Sequence, residues 1–131
     1  MEIRKLLPRD KGDLETARKL FSYKYSEVRP IVPDLLEWLQ DMNWPVAKPV
    51  SEYLESISEH ITEEIISILQ GDDDIWKYWC IHVFGLWSDK EIHPLILKEI
   101  KRIAENPSEG ELREEVQEVA REYLQLHKGM I

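Results

Sequence analysis

The chain has one cysteine, Cys80, among its 131 residues, so no disulfide can form within it. Only five glycines occur, and apolar and polar residues almost never alternate with a period of two, which argues against strands and phosphate-binding glycine loops. No apolar run reaches the about 20 residues that span a bilayer. Charges at Glu2, Arg4 and Lys5 occupy the place of a signal peptide's apolar segment. We therefore expect a cytoplasmic protein without a membrane segment.

Basic residues are also scarce. The chain has 17 Lys and Arg against 26 Asp and Glu, and its formal net charge is −9. A surface this acidic repels a phosphate backbone, so we expect no nucleic-acid partner, whereas a basic protein would be attracted. The composition, 43% hydrophobic and 33% charged, is that of a globular protein, and we expect residues 1–131 to form a single domain.

One apolar pattern occurs twice, thirty residues apart, so that Leu35 corresponds to Ile65 and Ile57 to Trp87. The positions of the first copy are Leu35, Leu36, Leu39, Val46, Val50, Tyr53, Leu54 and Ile57; those of the second are Ile65, Ile66, Leu69, Trp76, Cys80, Val83, Phe84 and Trp87. A third copy follows with small shifts. Repeats of this length are typical of stacked helical hairpins.

Apolar spacing predicts helices over 13–23, from 28 or 33 to 42, and over 44–57, 62–70, 73–87 and 109–126. Asp13 and Asn43 are candidate N-caps, and Ser108 with Glu111 has the spacing of a capping box. Pro49 falls inside its predicted helix and should bend it. The expected architecture is all-α: about three stacked HEAT-like hairpins after an N-terminal helix, in a right-handed solenoid-like bundle.

The helix over 73–87 is apolar on most of its sides, so we expect it to be buried on most sides. Trp38, Trp76, Trp79 and Trp87 are predicted core residues, and Cys80 a small one. Trp44 lies in a turn, where it would be either a staple over that turn or an exposed anchor.

Three long motifs resemble a family of small bacterial proteins that is known as a domain of unknown function. They are Leu6 to Lys11 (LLPRDK), Leu36 to Val46 (LEWLQDMNWPV) and Asp72 to Trp79 (DDDIWKYW), followed by Asn106, Pro107, Glu109 and Gly110. The resemblance implies an all-helical, HEAT-like repeat fold. It implies no reaction, cofactor or ligand.

Polar residues gather at the turns before the second helix of the first two hairpins. We predict that they form an acidic rim that binds a basic protein, the residues being Asp41, Asn43, Trp44, Asp72, Asp73 and Asp74. A competing interpretation of the aspartates is capping of the helix that follows. They lack the spacing of a calcium loop, and no histidines have metal-ligand spacing, so we expect neither a metal nor a cofactor.

The leading hypothesis is thus a non-enzymatic protein interaction module, since hairpin stacks present surfaces that bind other chains. The alternative is a small enzyme or ligand-binding protein with a pocket between repeats. Lys77, Tyr78 and His82 would supply its polar groups, because residues 78 and 82 share one face of a helix.

Overall fold

The computed structural model describes residues 2–127, and within that range it contains helices and turns but no strand. The prediction of an all-α protein is confirmed. The α-helices are α1 Leu14–Lys19, α2 Tyr25–Val28, α3 Val32–Leu36, α4 Ala47–Ser56, α5 Thr62–Leu69, α6 Asp74–Ile81, α7 Pro94–Glu105, α8 Glu109–Arg113 and α9 Val116–Leu126. Short 3-10 turns are Ile3–Leu6, Leu20–Ser22, Arg29–Ile31, Glu37–Gln40 and Ser58–His60; a π-helical turn, His82–Leu86, continues α6. None of these helices is long and apolar enough to cross a membrane.

The chain divides into two compact units, Met1–Ile61 and Thr62–Ile131. In the first unit, α1 and α3 pack against α4. Its largest fully buried side chains are Leu6, Leu20, Ile31, Leu35, Leu36, Leu39, Leu54 and Ile61. That residues 1–131 act as a single domain stays a prediction.

The second unit contains α5 to α9, and four of these helices pack in pairs. The leading helices, α5 and α7, pack against each other, and so do the trailing helices, α6 and α9. Helix α5 also contacts α6, and α7 contacts α9. Ile65, Leu69, Ile81 and Ile100 are fully buried between them. These contacts bury the apolar sides of the four helices.

Most positions of the thirty-residue repeat are buried in both copies, each in its own unit. Both members are buried at Leu35 and Ile65 and also at Leu39 and Leu69. The same is true of the pairs Val50 and Cys80, Tyr53 and Val83, and Leu54 and Phe84. The copies differ at their end, where Ile57 is buried but Trp87 is 57% exposed.

The predicted caps at Asp13 and Ser108 are present. The Asp13 carboxylate caps the start of α1 by accepting a hydrogen bond from the backbone N–H of Thr16. It also accepts hydrogen bonds from the backbone N–H and the guanidinium of Arg9. The Arg9 guanidinium and backbone N–H hold the pKa of Asp13 well below its usual range. Ser108 and Glu111 form the predicted capping box at the start of α8.

The predicted cap at Asn43 is wrong. Helix α4 begins at Ala47, and the side chain of Asp41 instead accepts the backbone N–H of Asn43, which makes residues 41–46 a turn. Pro49 is therefore the third residue of α4, where a backbone N–H has no intrahelical partner in any helix. No hydrogen bond is lost, so the predicted bend has no cause.

Two other predicted helices are not continuous α-helices. The helix over 73–87 turns from α to π at His82. The helix over 109–126 is broken between α8 and α9, where Glu115 has a φ of 63°. A non-glycine residue in this left-handed region is uncommon.

The prediction that four tryptophans lie in the core is wrong. Trp38, Trp76 and Trp79 are only half-buried, and Trp87 is exposed. The buried side of α6 and its π-helical turn consists of Lys77, Cys80, Ile81, Val83 and Phe84, so the wide indole rings lie at the margin. The helix is thus not buried on most sides, and Cys80 is the buried small residue that was predicted.

Candidate functional site

The predicted rim has three residues in the first unit, and local contacts hold them. The Asp41 carboxylate accepts the Asn43 N–H at 2.8 Å. The half-buried ring of Trp44 meets that of Trp38 edge to face, with centroids 5.5 Å apart. Trp44 therefore packs over its turn, as the staple interpretation predicts, while Asn43 is exposed.

The three aspartates of the rim, all in the second unit, have different surroundings. Asp73 caps α6 by accepting the backbone N–H of Trp76 at 3.0 Å, which confirms the capping interpretation for this residue. Asp74 forms an ion pair with Lys77 at 3.0 Å. Asp72 is exposed. The rim as one surface built from both units stays a prediction.

Lys77 is buried, with 5% of its side chain exposed. Its ammonium donates to Asp74 at 3.0 Å and to Glu111 at 2.9 Å. Burial alone would lower the pKa of Lys77, but these two carboxylates raise it, so the side chain stays charged. The predicted alternative pocket consists of Lys77, Tyr78 and His82. The structure brings Tyr78 and His82 together but places Lys77 in a separate cleft.

Glu111 is the centre of this buried ionic cluster. Its fully buried carboxylate accepts hydrogen bonds from Lys77, from Arg102 Nη1 at 2.7 Å and Nη2 at 2.9 Å, and from the backbone N–H of Ser108 at 2.8 Å. Burial would raise the pKa of Glu111, but the hydrogen bonds from Arg102, Ser108 and Lys77 outweigh it and lower the pKa to about 2. Glu111 is therefore ionised at neutral pH.

A polar cleft of about 410 Å³ lies over this cluster. Its lining residues are Gln70, Gly71, Asp72, Asp74, Lys77, Glu99, Arg102, Ser108 and Glu111. Arg102 also donates to the Leu69 carbonyl at 3.3 Å and lies 3.5 Å from Glu99. Because both cations already have carboxylate partners, the cleft is better suited to holding α5, α6, α7 and α8 together than to binding an anion.

Gly110 makes room for the cluster. A Cβ atom at this position would overlap the carboxylate of Asp74. The absence of a side chain at Gly110 is therefore what lets Asp74 reach across from the first turn of α6 to α8. Two segments that support the family resemblance, 72–79 and 106–110, meet at this contact.

A second group of residues, which we call the aromatic cluster, lies on α6, on its π-helical turn and directly after that turn: Tyr78, Trp79, His82 and Trp87. The ring centroid of His82 lies 4.8 Å from that of Tyr78, 5.8 Å from that of Trp79 and 4.9 Å from that of Trp87. Trp79 and Trp87 are 6.2 Å apart. Exposed Trp87 is therefore the outer member of a continuous layer of rings.

His82 is the unusual member of the aromatic cluster. Both of its ring nitrogens are buried and have no hydrogen-bond partner in the described structure. Burial lowers the pKa of His82, and the opposing charge of Glu122 raises it by less. The imidazole is therefore held neutral, and its unpaired polar atoms cost folding free energy.

Next to His82, Gly85 fits the π-helical turn against α9. A Cβ atom at Gly85 would approach the ring of Tyr123 to 3.1 Å. The extra residue of a π turn shifts the side chains that follow it, and such turns are frequent at functional sites. The apolar spacing of the sequence shows no break here, so sequence reasoning missed this turn.

A second cleft, of about 330 Å³, lies beside the aromatic cluster. Its lining residues are Ile75, Tyr78, Trp79, Arg113, Glu114 and Glu115. Ile75 is 49% exposed at its edge. Sequence reasoning did not predict this cleft, because it depends on the break between α8 and α9 at Glu115.

The fold and these two clefts define a small all-α protein with an ionic interior on one side of α6 and an aromatic surface on the other. A family model described as "Domain of unknown function (DUF5071)" matches residues 6–124, and the chain belongs to this family. No curated protein matches the chain. Within residues 2–127, no group of three or more His, Cys, Asp or Glu is placed to hold a metal ion.

Replacing Gly110 with alanine should destabilise the protein by about 1–3 kcal/mol, the usual cost of overpacking. Helix propensity alone predicts the opposite sign, a gain of about 1 kcal/mol. Gly12→Ala is the matched control, because a Cβ atom there meets only Asp10 Oδ1 at 3.6 Å. The measurement is urea unfolding. A Gly110→Ala protein as stable as the control would show that Asp74 does not need this space.

His82 should make stability depend on pH. The pKa of His82 is lower in the folded than in the unfolded chain. The stability that the neutral imidazole contributes is therefore complete above the unfolded pKa of about 6.5. It is lost as pH falls towards the folded pKa, by up to about 1.4 kcal/mol per pH unit. We expect His82→Gln to lose less stability than wild type between pH 7.5 and 5. His60→Gln, at an exposed histidine, should follow wild type. Equal slopes for wild type and His82→Gln would contradict this.

Proposed function

We propose that the chain is a non-enzymatic module that binds another protein through the aromatic cluster and Ile75. The observation that supports this most is the exposure of large apolar side chains along one continuous segment, residues 75–87. Trp87 is 57% and Ile75 49% exposed, and half-buried Tyr78 and Trp79 belong to the same stretch. Contiguous exposed apolar surface marks interaction sites, and tryptophan and tyrosine dominate their energetics.

Charge favours a basic partner. The formal net charge of the chain is −9. Glu114 and Glu115 line the cleft beside the rings, and Glu122 is close enough to His82 to act on its pKa. A lysine or arginine side chain would meet carboxylates and the faces of aromatic rings together, both of which attract cations.

The predicted rim has a lesser part in this proposal. Asp73 and Asp74 are engaged in capping and in the ion pair with Lys77, and Trp44 packs on Trp38. Asp72 and Asn43 are exposed. We propose that the rim residues attract a basic partner at long range, which affects the association rate, while the aromatic cluster holds the complex.

The alternative, an enzyme or ligand-binding protein with a pocket made from Lys77, Tyr78 and His82, requires these three polar groups to converge. The ammonium of Lys77 is bound by Asp74 and Glu111 in the polar cleft. Tyr78 and His82 meet edge to face, at an angle of 63° between their rings, rather than through a hydrogen bond. This geometry favours the interaction module.

We also propose that the helical pairs are HEAT-like repeats, and that the protein works in the reducing cytoplasm of a bacterium. In the second unit, leading helices pack on each other and trailing helices do likewise, which supports stacking. The only cysteine, Cys80, is buried, and burial raises the pKa of its thiol, which suits a structural role in a reducing compartment.

Trp87→Ala should weaken binding to the natural partner by about 2 kcal/mol, or roughly 30-fold, through faster dissociation. The partner would be identified by a photocrosslinking residue placed at exposed position 89, near Trp87, and then purified for surface plasmon resonance. Leu95→Ala is the control, because Leu95 is 53% exposed and lies at the start of α7, outside the aromatic cluster. Equal affinity for Trp87→Ala and Leu95→Ala would contradict the proposed surface.

A further inference from the structure

The cleft beside the aromatic cluster has two chemically different walls. On the α6 wall, the rings of Tyr78 and Trp79 stand nearly perpendicular, at 86° with centroids 4.9 Å apart, and Ile75 extends the apolar surface. Two rings set at a right angle offer both a face and an edge to a group between the walls. A ring face attracts a cation within about 6 Å of its centroid.

The opposite wall supplies carboxylates from the break between α8 and α9. In an unbroken α-helix, consecutive side chains point about 100° apart. Here the left-handed backbone at Glu115, with φ at 63°, interrupts the helix, and Glu114 and Glu115 both line the cleft. The strained residue is thus the reason that two neighbouring carboxylates serve one cavity.

One of these carboxylates has a weak partner and the other has none among residues 2–127. Glu114 lies 3.7 Å from the guanidinium of Arg113, whose side chain is 69% exposed. No ion pair or side-chain hydrogen bond joins Glu115 to another described residue. The chain's own guanidinium therefore lies against one wall of the cleft and leaves one negative charge unmatched.

We propose that this cleft receives one cationic side chain, a lysine or an arginine, of the partner protein. This rests on the proposed function and names the group that the surface recognises. The ring wall attracts the cation, and Glu115 neutralises it, with Glu114 as a second acceptor. At about 330 Å³ the cleft is at the lower end of the size range of ligand pockets, enough for one side-chain head group. The cleft lining has two carboxylates, Glu114 and Glu115, and one guanidinium, Arg113, so its net negative charge favours a cation over an anion.

The test uses two small probes of nearly the same shape, ethylguanidinium chloride and neutral N-ethylurea, with the ¹⁵N-labelled full chain. The readout is the indole N–H signal of Trp79 in NMR spectra, assigned by its disappearance in Trp79→Phe. We expect a saturable shift at millimolar ethylguanidinium and a shift at least threefold smaller with N-ethylurea.

The matched variants remove the same charge at different places. Glu114→Gln with Glu115→Gln should weaken the ethylguanidinium response at least threefold. Glu105→Gln with Glu118→Gln, at exposed positions outside the cleft, should leave it within about 30% of wild type after correction for ionic strength. The same spectra show whether each variant is folded. Should Glu114→Gln with Glu115→Gln be unfolded, Glu115→Gln alone must still weaken the response.

Equal responses to the two probes, or equal effects of the two pairs of substitutions, would overturn the cation site. Such a failure is separate from that of the proposed function. If Trp87→Ala still weakens partner binding while the probes show no preference, the interaction surface stands and this occupant is wrong. If the probes behave as expected and Trp87→Ala has no effect, the cleft binds cations but the aromatic cluster is not the interface.

Discussion

The second unit depends on one buried carboxylate. Glu111 accepts hydrogen bonds from α6 through Lys77, from α7 through Arg102 and from its own capping box through Ser108. Removing so many charges from water costs several kcal/mol per ion, and the cost is offset only because both carboxylate oxygens of Glu111 are bound. The cluster therefore adds little net stability, but it determines which helices pack together and which residues meet.

The position of the surface that we propose for binding follows from that constraint. Because Lys77 and Cys80 occupy the inner side of α6, residues 75, 78 and 79 are turned outwards at helical spacing. The π-helical turn then shifts the residues after His82, which places Trp87 against His82 and Trp79. The buried Lys77 on one side of α6 and the half-buried rings of Tyr78 and Trp79 on the other are two consequences of one arrangement.

The sequence predicted the class of the fold, the burial of most positions in its thirty-residue pattern, and two caps, because these depend on local spacing. Leu35 and Ile65 are each buried in their own unit, and Asp13 and Ser108 cap the helices that follow them. It did not predict the depth of the tryptophans, since an indole at an inward helical position can still lie at the margin of a small unit. Nor did it predict that Lys77 is buried, because its partner Glu111 is distant in sequence. The cleft at Glu115 depends on the positive φ angle of that residue, which its residue type does not predict.

The coupling between Lys77 and Glu111 tests the central claim most directly. It is measured by urea unfolding of Lys77→Met, Glu111→Leu and the double variant. Each single change removes one ion-pair partner from a buried charged group and should cost about 3–5 kcal/mol, whereas the double change should cost less than the sum by about 1–3 kcal/mol. Costs that add to within about 0.3 kcal/mol would mean that the two side chains do not depend on each other, and that the ionic cluster is not what holds α6 and α8 together.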